Sequence, residues 1–193
     1  DTERRHPAPA IAPSSPTAAA FLEALPFAPT AAQERVAIEL AEDMAQTQPM
    51  LRLVQGDVGS GKTLVAARAA LDTIAAGYQV AFMAPTELLA EQHFATLDAW
   101  LTPLGQPVAW LSGRTKGRAR QQVLQALASG EAPLVVGTHA LFQDDVHFHR
   151  LGLIIVDEQH RFGVHQRLSL ADKGVGDEHP HQLALTATPI PRS

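Results

Sequence analysis

The chain has 193 residues, 46% of them hydrophobic, with no cysteine and a formal net charge of −5. Such a chain can bury the core of one ordinary domain, while disulfides, thiolate chemistry and cysteine zinc sites are excluded. No apolar run nears the ~18 residues of a membrane span, the start lacks the basic-then-apolar plan of a signal peptide, and any nucleic-acid contact must come from a local basic cluster.

Residues 1–16 are proline-rich with little apolar weight, which predicts a linker that is extended or mobile. A short helix is expected over 17–24, closed by the turn Leu25-Pro26-Phe27. Thr30 reads as the N-cap of a helix from about 31 to 47, with Val36, Leu40 and Met44 along one face. Strand-like and helix-like stretches then alternate: strand 50–55, helix 62–76 ending near Gly77, strand 79–85, and a helix capped by Thr86 running to about Trp100. Strand 107–112, helix 117–129 stopped by Gly130, and strands 133–138, 151–158 and 182–188 follow. Strands apolar on both faces and separated by helices indicate an α/β fold with a parallel sheet covered on both sides. Ligands of such sheets gather at the carboxyl ends of the strands. The chain opens on Asp1 and stops at Ser193 inside a motif-like run, so it reads as a piece of a longer protein.

Two motifs lie just past strand ends. Gly56-x4-Gly61-Lys62-Thr63, within GDVGSGKT, has the P-loop spacing with a strand before it and a helix after it. Gly56, Asp57, Val58, Gly59, Ser60 and Gly61 would curl backbone N–H groups around phosphate oxygens, helped by the helix N-terminus. Lys62 would reach the β and γ phosphates of ATP, and the Thr63 hydroxyl would ligate Mg2+. Asp157 and Glu158 end the most apolar strand, where Asp157 suits the magnesium and Glu158 suits a general base for the attacking water. A base placed for water implies hydrolysis.

The series GDVGSGKT, APTELLAEQH (84–93), GTHALF (137–142), DEQH (157–160) and TATPIPR (186–192) resembles the motif set of superfamily 2 helicases. LPF-x-x-T-x-AQ at 25–33, DEQHRFGV-x-QR at 157–167 and PH-x-L-x-x-TATPIPR at 180–192 resemble the RecG-type ATP-dependent DNA helicases of bacterial fork repair in particular. The resemblance runs from about residue 21 to the end. The transcription–repair coupling translocases are the nearest alternative; they usually carry DEEH and lack the LPF entry. Pro29 departs from the family, which commonly has leucine there.

The resemblance implies a RecA-like P-loop domain over 21–193, the first motor half, with 1–20 as an interdomain linker. A second RecA-like domain that supplies an arginine finger and a DNA-binding domain would lie elsewhere in the same chain, in a monomeric, cytoplasmic bacterial enzyme acting on forks and branched junctions. It also assigns roles. Gln33 would recognise adenine, although by itself it reads as a surface glutamine; Phe27 is a core side chain or a stacking surface. Pro85, Thr86, Gly137, Thr138 and His139 would grip one DNA strand, with Thr86 able to cap a helix as well. His160, Thr186 and Thr188 would couple the γ-phosphate to DNA, with Arg161, Phe162 and Gln166 as weaker relays.

One basic cluster stands out in the acidic chain. Arg114, Lys116, Arg118 and Arg120 fall within SGRTKGRAR (112–120), either as a solvated helix face or as a phosphate-binding patch; Arg114 and Lys116 are the DNA candidates. The pairs His147/His149 and His179/His181 lack a third ligand and are not read as metal sites. A P-loop phosphotransferase would need an acceptor pocket or lid, and the sequence offers neither. A binding module without turnover is the other rival, opposed by the intact Lys62, Thr63, Asp157 and Glu158.

Overall fold

The computed structural model describes residues 7–12, 15–25, 28–55, 61–158, 173–174 and 178–186. Six strands make one sheet: β1 (Leu51–Gln55), β2 (Gln79–Met83), β3 (Val108–Leu111), β4 (Leu134–Gly137), β5 (Leu151–Asp157) and β6 (His181–Thr186). Five helices accompany them: α1 (Ser15–Ala24), α2 (Ala31–Met44), α3 (Gly61–Ala75), α4 (Glu87–Leu101) and α5 (Gly117–Ser129). The strand order is β1-β6-β5-β2-β4-β3, and every pairing among them is parallel.

The alternation of side chains along each strand splits the core in two. Val80, Phe82, Leu134, Val136, Leu153, Ile155, Leu183 and Leu185 face the layer built by α1 to α4. Ala81, Met83, Val135, Ile154 and Val156 face the layer containing Leu127 of α5. Period-two alternation with both faces apolar is what a strand buried on both sides requires, and β5 is buried along its whole length.

Local signals set the element ends. Thr30 caps α2 through a reciprocal capping box: its Oγ1 accepts from Gln33 N–H at 3.1 Å while Gln33 Oε1 accepts from Thr30 N–H at 2.8 Å. Thr86 caps α4 by accepting from Leu89 N–H at 3.2 Å. Gly130 ends α5 in the left-handed region at φ 85°. Helix α2 stops at Met44 rather than near 47, in a run of exposed turn residues.

Residues 7–12 carry no helix or strand, as a linker should, yet they are docked rather than free. Ala8 N–H donates to Thr47 O at 2.7 Å, Ile11 N–H donates to Met44 O at 2.8 Å, and Ile11 is wholly buried. The buried His181 closes this arrangement. Its Nδ1 accepts from Met50 N–H at 2.9 Å, which leaves the proton on Nε2 to donate to Pro9 O at 2.7 Å. Ala8, Pro9 and Ile11 supply the burial that a mobile linker lacks, and His181 supplies a partner for the chain's backbone.

Burial pushes the His181 imidazole below its ordinary value, against smaller opposing effects from Pro9, Asp43 and Met44. The folded pKa is depressed, so the unfolded chain binds the proton more readily. Stability is therefore full above the ordinary histidine value of 6.5 and falls as pH drops below it. Urea midpoints should decline from about pH 6.5 downward, and His181→Asn, which keeps an acceptor for Met50, should flatten that decline. A second outcome concerns Gly137, where an added Cβ would sit 1.9 Å from Leu111 O of the neighbouring strand. Gly137→Ala should cost about 3 kcal/mol in a urea titration, the upper end for overpacking.

Candidate functional site

Lys62 and Thr63 lie in the first turn of α3, immediately beyond β1, and both are buried. Residues 56–60 fall outside the described residues, so Gly56, Asp57, Val58, Gly59 and Ser60 have no described geometry. Asp157 is the last residue of β5, and β6 lies between β1 and β5. Helix α3 packs against β6 and β5, which brings Lys62 to the end of β5. Lys62 Nζ stands 3.0 Å from Asp157 Oδ1 and 3.7 Å from Glu158 Oε2.

The other oxygen of Asp157 has its own donor. His93 Nε2 stands 2.6 Å from Asp157 Oδ2, with His93 only 8% and Asp157 only 2% exposed. With the carboxylate ionised, His93 Nε2–H is the donor. Phe82 packs on the imidazole, ring centroids 4.6 Å apart. Burial alone would push Asp157 up, but the hydrogen bonds from His93 and then Lys62 outweigh it and hold the carboxyl below its usual range. The carboxylate is therefore ionised, with a donor on each oxygen.

Glu158 has left the strand, with φ 55°, while its N–H still donates to Leu185 O at 2.8 Å. A non-glycine residue in this region costs about 1–2 kcal/mol. The turn brings the Glu158 carboxylate back toward Lys62, so two carboxylates share one ammonium. This donor set suits a divalent cation: hard oxygens from Asp157 and Thr63 beside a place where a cation already balances negative charge.

Gln33 is held at the rim of the same place. Its Oε1 is engaged in the capping box, and a Cβ on Gly61 would come within 2.9 Å of its Nε2. The amide thus lies against the start of α3. Thr186 ends β6 opposite Gln55 of β1, and its neighbour Leu185 is in register with Asp157. The buried Thr186 sits between the two strands that lead into the site. Phe27, His160, Arg161, Phe162, Gln166 and Thr188 lie outside the described residues.

The expected nucleic-acid residues gather at the same end of the sheet but on its other half. Met83, Gly137 and Leu111 are in register across β2, β4 and β3, so the loops that follow them share one edge. Thr86, Arg114, Lys116 and His139 are exposed there and Pro85 is half-buried. A Cβ on Gly113 would lie 3.9 Å from the His139 ring, which brings the basic loop and His139 together.

Two of the named residues have a different part. Gly137 is buried against Leu111 O, and Thr138, 2% exposed, turns Oγ1 toward Ala140 N–H at 3.5 Å to start a 3-10 turn over His139–Phe142. Both are buried within the edge, and His139 is the exposed member of the three. The basic cluster also divides: Arg120 is committed to Gln143 Oε1 at 2.7 Å and Asp145 Oδ1 at 2.7 Å, while Arg114, Lys116 and Arg118 are exposed.

Sequence reasoning missed His93. The signal was available, since Ala90, His93, Leu97 and Leu101 form the buried stripe of α4. A histidine at such a position needs a polar partner inside. What sequence could not show is that the partner is Asp157, 64 residues away.

The DEAD/DEAH box helicase family matches residues 30–193, and the chain belongs to that family. The architecture is the RecA-like α/β domain. The chain is 62% identical over 174 residues to the ATP-dependent DNA helicase RecG of Escherichia coli strain K12, covering 90% of this chain and 25% of that protein. It is 53% identical over 173 residues to the RecG of Synechocystis sp., covering 90% of this chain and 20% of the relative. A solved structure of RecG bound to a three-way DNA junction superposes with a TM-score of 0.83 at 41% identity, covering 96% of this chain and 24% of the other. The resemblance to RecG-type helicases therefore holds along nearly the whole chain, which spans about a quarter of the length of the E. coli relative.

Among the described residues Asp157 is the partner of His93 and the nearer carboxylate to Lys62. Asp157→Ala strands a buried cation and a buried donor, and should destabilise the domain by about 3–5 kcal/mol in equilibrium urea unfolding.

Proposed function

We propose that this chain is the first motor domain of a RecG-type, ATP-dependent DNA helicase that couples ATP hydrolysis to the remodelling of forks and branched DNA. The observation that carries the proposal is the contact of Lys62 with Asp157 and Glu158 at the carboxyl edge of a parallel sheet, beside the exposed Thr86, Arg114, Lys116 and His139. The relatives are named ATP-dependent DNA helicases, and one of them is seen on a three-way junction. Their greater length fits further domains, including a second RecA-like domain and a DNA-binding part reached through residues 1–20. Their bacterial sources fit a cytoplasmic setting, and no helix among the described residues is long and apolar enough to cross a membrane.

In this reading Lys62 leaves its carboxylate partners to hold the β and γ phosphates, with the backbone of 56–61 wrapped around them. Thr63 and Asp157 would hold Mg2+, which supplies charge neutralisation on the phosphate oxygens. Glu158 orients the attacking water and accepts its proton. Gln33, fixed by the Thr30 box, offers adenine a preset amide. Thr86, His139, Arg114 and Lys116 take phosphates of one DNA strand without reading bases, and Thr186, with His160 and Thr188, couples the two halves.

ATP hydrolysis by the full-length parent protein, with and without a forked duplex, tests the proposal. Glu158→Gln should lower kcat by roughly 10²–10⁴-fold with nucleotide still bound, and Lys62→Ala should lose nucleotide binding. Turnover indifferent to DNA but dependent on a small acceptor would instead make the protein a phosphotransferase. No turnover at all would make it a binding module. The domain alone should bind nucleotide weakly and hydrolyse it poorly, because it lacks a facing domain; brisk DNA-stimulated turnover by the isolated domain would contradict this. Arg114→Ala and Lys116→Ala should each weaken binding across sequences and reduce the log–log salt slope by about 1, read from fork binding at several salt concentrations.

A further inference from the structure

Helix α4 touches both halves of the proposed motor. Its N-cap, Thr86, stands on the edge with the exposed phosphate-binding side chains. Seven residues on, two helical turns and about 10 Å along the axis, His93 holds Asp157 Oδ2 at 2.6 Å. His93 is the seventh residue of the helix that Thr86 caps, so one rigid element joins the two places.

We infer that His93 is a positioning residue: it sets the orientation of the Asp157 carboxylate and ties that orientation to α4, so that DNA held at Thr86 acts on the metal-binding oxygen through one helix. The inference rests on the reading of Lys62, Thr63 and Asp157 as the nucleotide and metal site.

Three observations support it. The two oxygens of Asp157 are served from different elements: Oδ1 by Lys62 of α3, and Oδ2 by His93 of α4. Lys62 is the partner that a phosphate would draw away, so His93 is the donor that stays. The imidazole also has little freedom, being buried and packed on Phe82 of β2. Finally, α4 is pinned lengthwise: Thr86 caps its first turn, and Ala90, Leu97 and Leu101 are buried in the core along with His93. A displacement at the Thr86 end is therefore carried to the His93 end rather than absorbed between them. Partners of this kind fix the rotamer of a metal-binding carboxylate, and their loss commonly costs 10–100-fold in metal affinity or activity.

The test uses the full-length protein with His93→Leu, which removes the donor, and His93→Gln, which keeps one. A fluorescent ATP analogue is titrated with Mg2+ and with EDTA, ATP hydrolysis is measured with and without a forked duplex, and thermal melting monitors folding. His93→Leu should lose roughly tenfold or more of the Mg2+-dependent gain in nucleotide affinity and a similar factor in DNA stimulation. It should still bind nucleotide in EDTA and still bind the fork. His93→Gln should recover most of both losses. A folded His93→Leu protein with wild-type Mg2+ dependence and wild-type DNA stimulation overturns the inference. So does an equal loss in both variants that extends to binding in EDTA, which would make His93 a packing residue only. Parallel Lys62→Ala and Asp157→Asn proteins separate this failure from that of the motor reading: if both hydrolyse ATP normally, the reading itself is wrong.

Discussion

A single buried carboxylate organises this domain. Asp157 ends the most deeply buried strand, where an ionised group is costly unless every lone pair finds a donor. It is kept ionised by a cation on one oxygen and an imidazole on the other, drawn from two helices that lie on the same face of the sheet. Taking charges out of water in this way rarely adds stability. Its proposed use is to hold negative charge in a fixed direction where a cation and a phosphate chain would be received. The turned-back Glu158, at φ 55°, carries a second carboxylate to the same ammonium. The strain there falls at the residue proposed for water activation, as expected where conformation serves chemistry.

Strand order explains how one small domain can serve two polymers of phosphate. The sheet runs β1-β6-β5-β2-β4-β3 with all strands parallel, so the carboxyl ends lie along one edge. The first three strands place Lys62, Asp157 and Thr186; the last three place Thr86, His139, Arg114 and Lys116. Nucleotide and DNA are thus proposed to sit side by side on one rigid edge, with α4 spanning the line between them. The far end of the sheet is occupied differently. There His181 and Ile11 fasten the incoming chain, so a segment that precedes the motor is held against it by burial and hydrogen bonds.

Much of this was legible residue by residue. The six strands and five helices of the described residues were foreseen, because apolar runs, Thr30, Thr86 and Gly130 act within a few residues of themselves. The P-loop spacing and the carboxylate pair at a strand end were equally local. The parts that were not legible involve partners far apart in the chain. Residues 7–12 looked like free linker because proline content says nothing about a distant histidine. The closeness of Leu111 O to Gly137 and the turn begun by Thr138 are packing facts that the motif did not reveal. The pairing of Arg120 with Asp145, 25 residues on, was equally hidden in the basic run.

The sequence by itself determined the class of fold, the approximate position of each described element and the motifs from which a phosphate and metal site is proposed, since these follow from short-range periodicity, capping and motif spacing. Tertiary structure alone decided which charges meet, which hydroxyls face inward and which side chain orients Asp157. Those facts depend on strand order and on the crossing of α3 and α4 over the sheet. A chain's local pattern does not encode the few ångströms that separate a hydrogen bond from an empty gap, and at this site those few ångströms are what bring His93, Lys62 and Asp157 together.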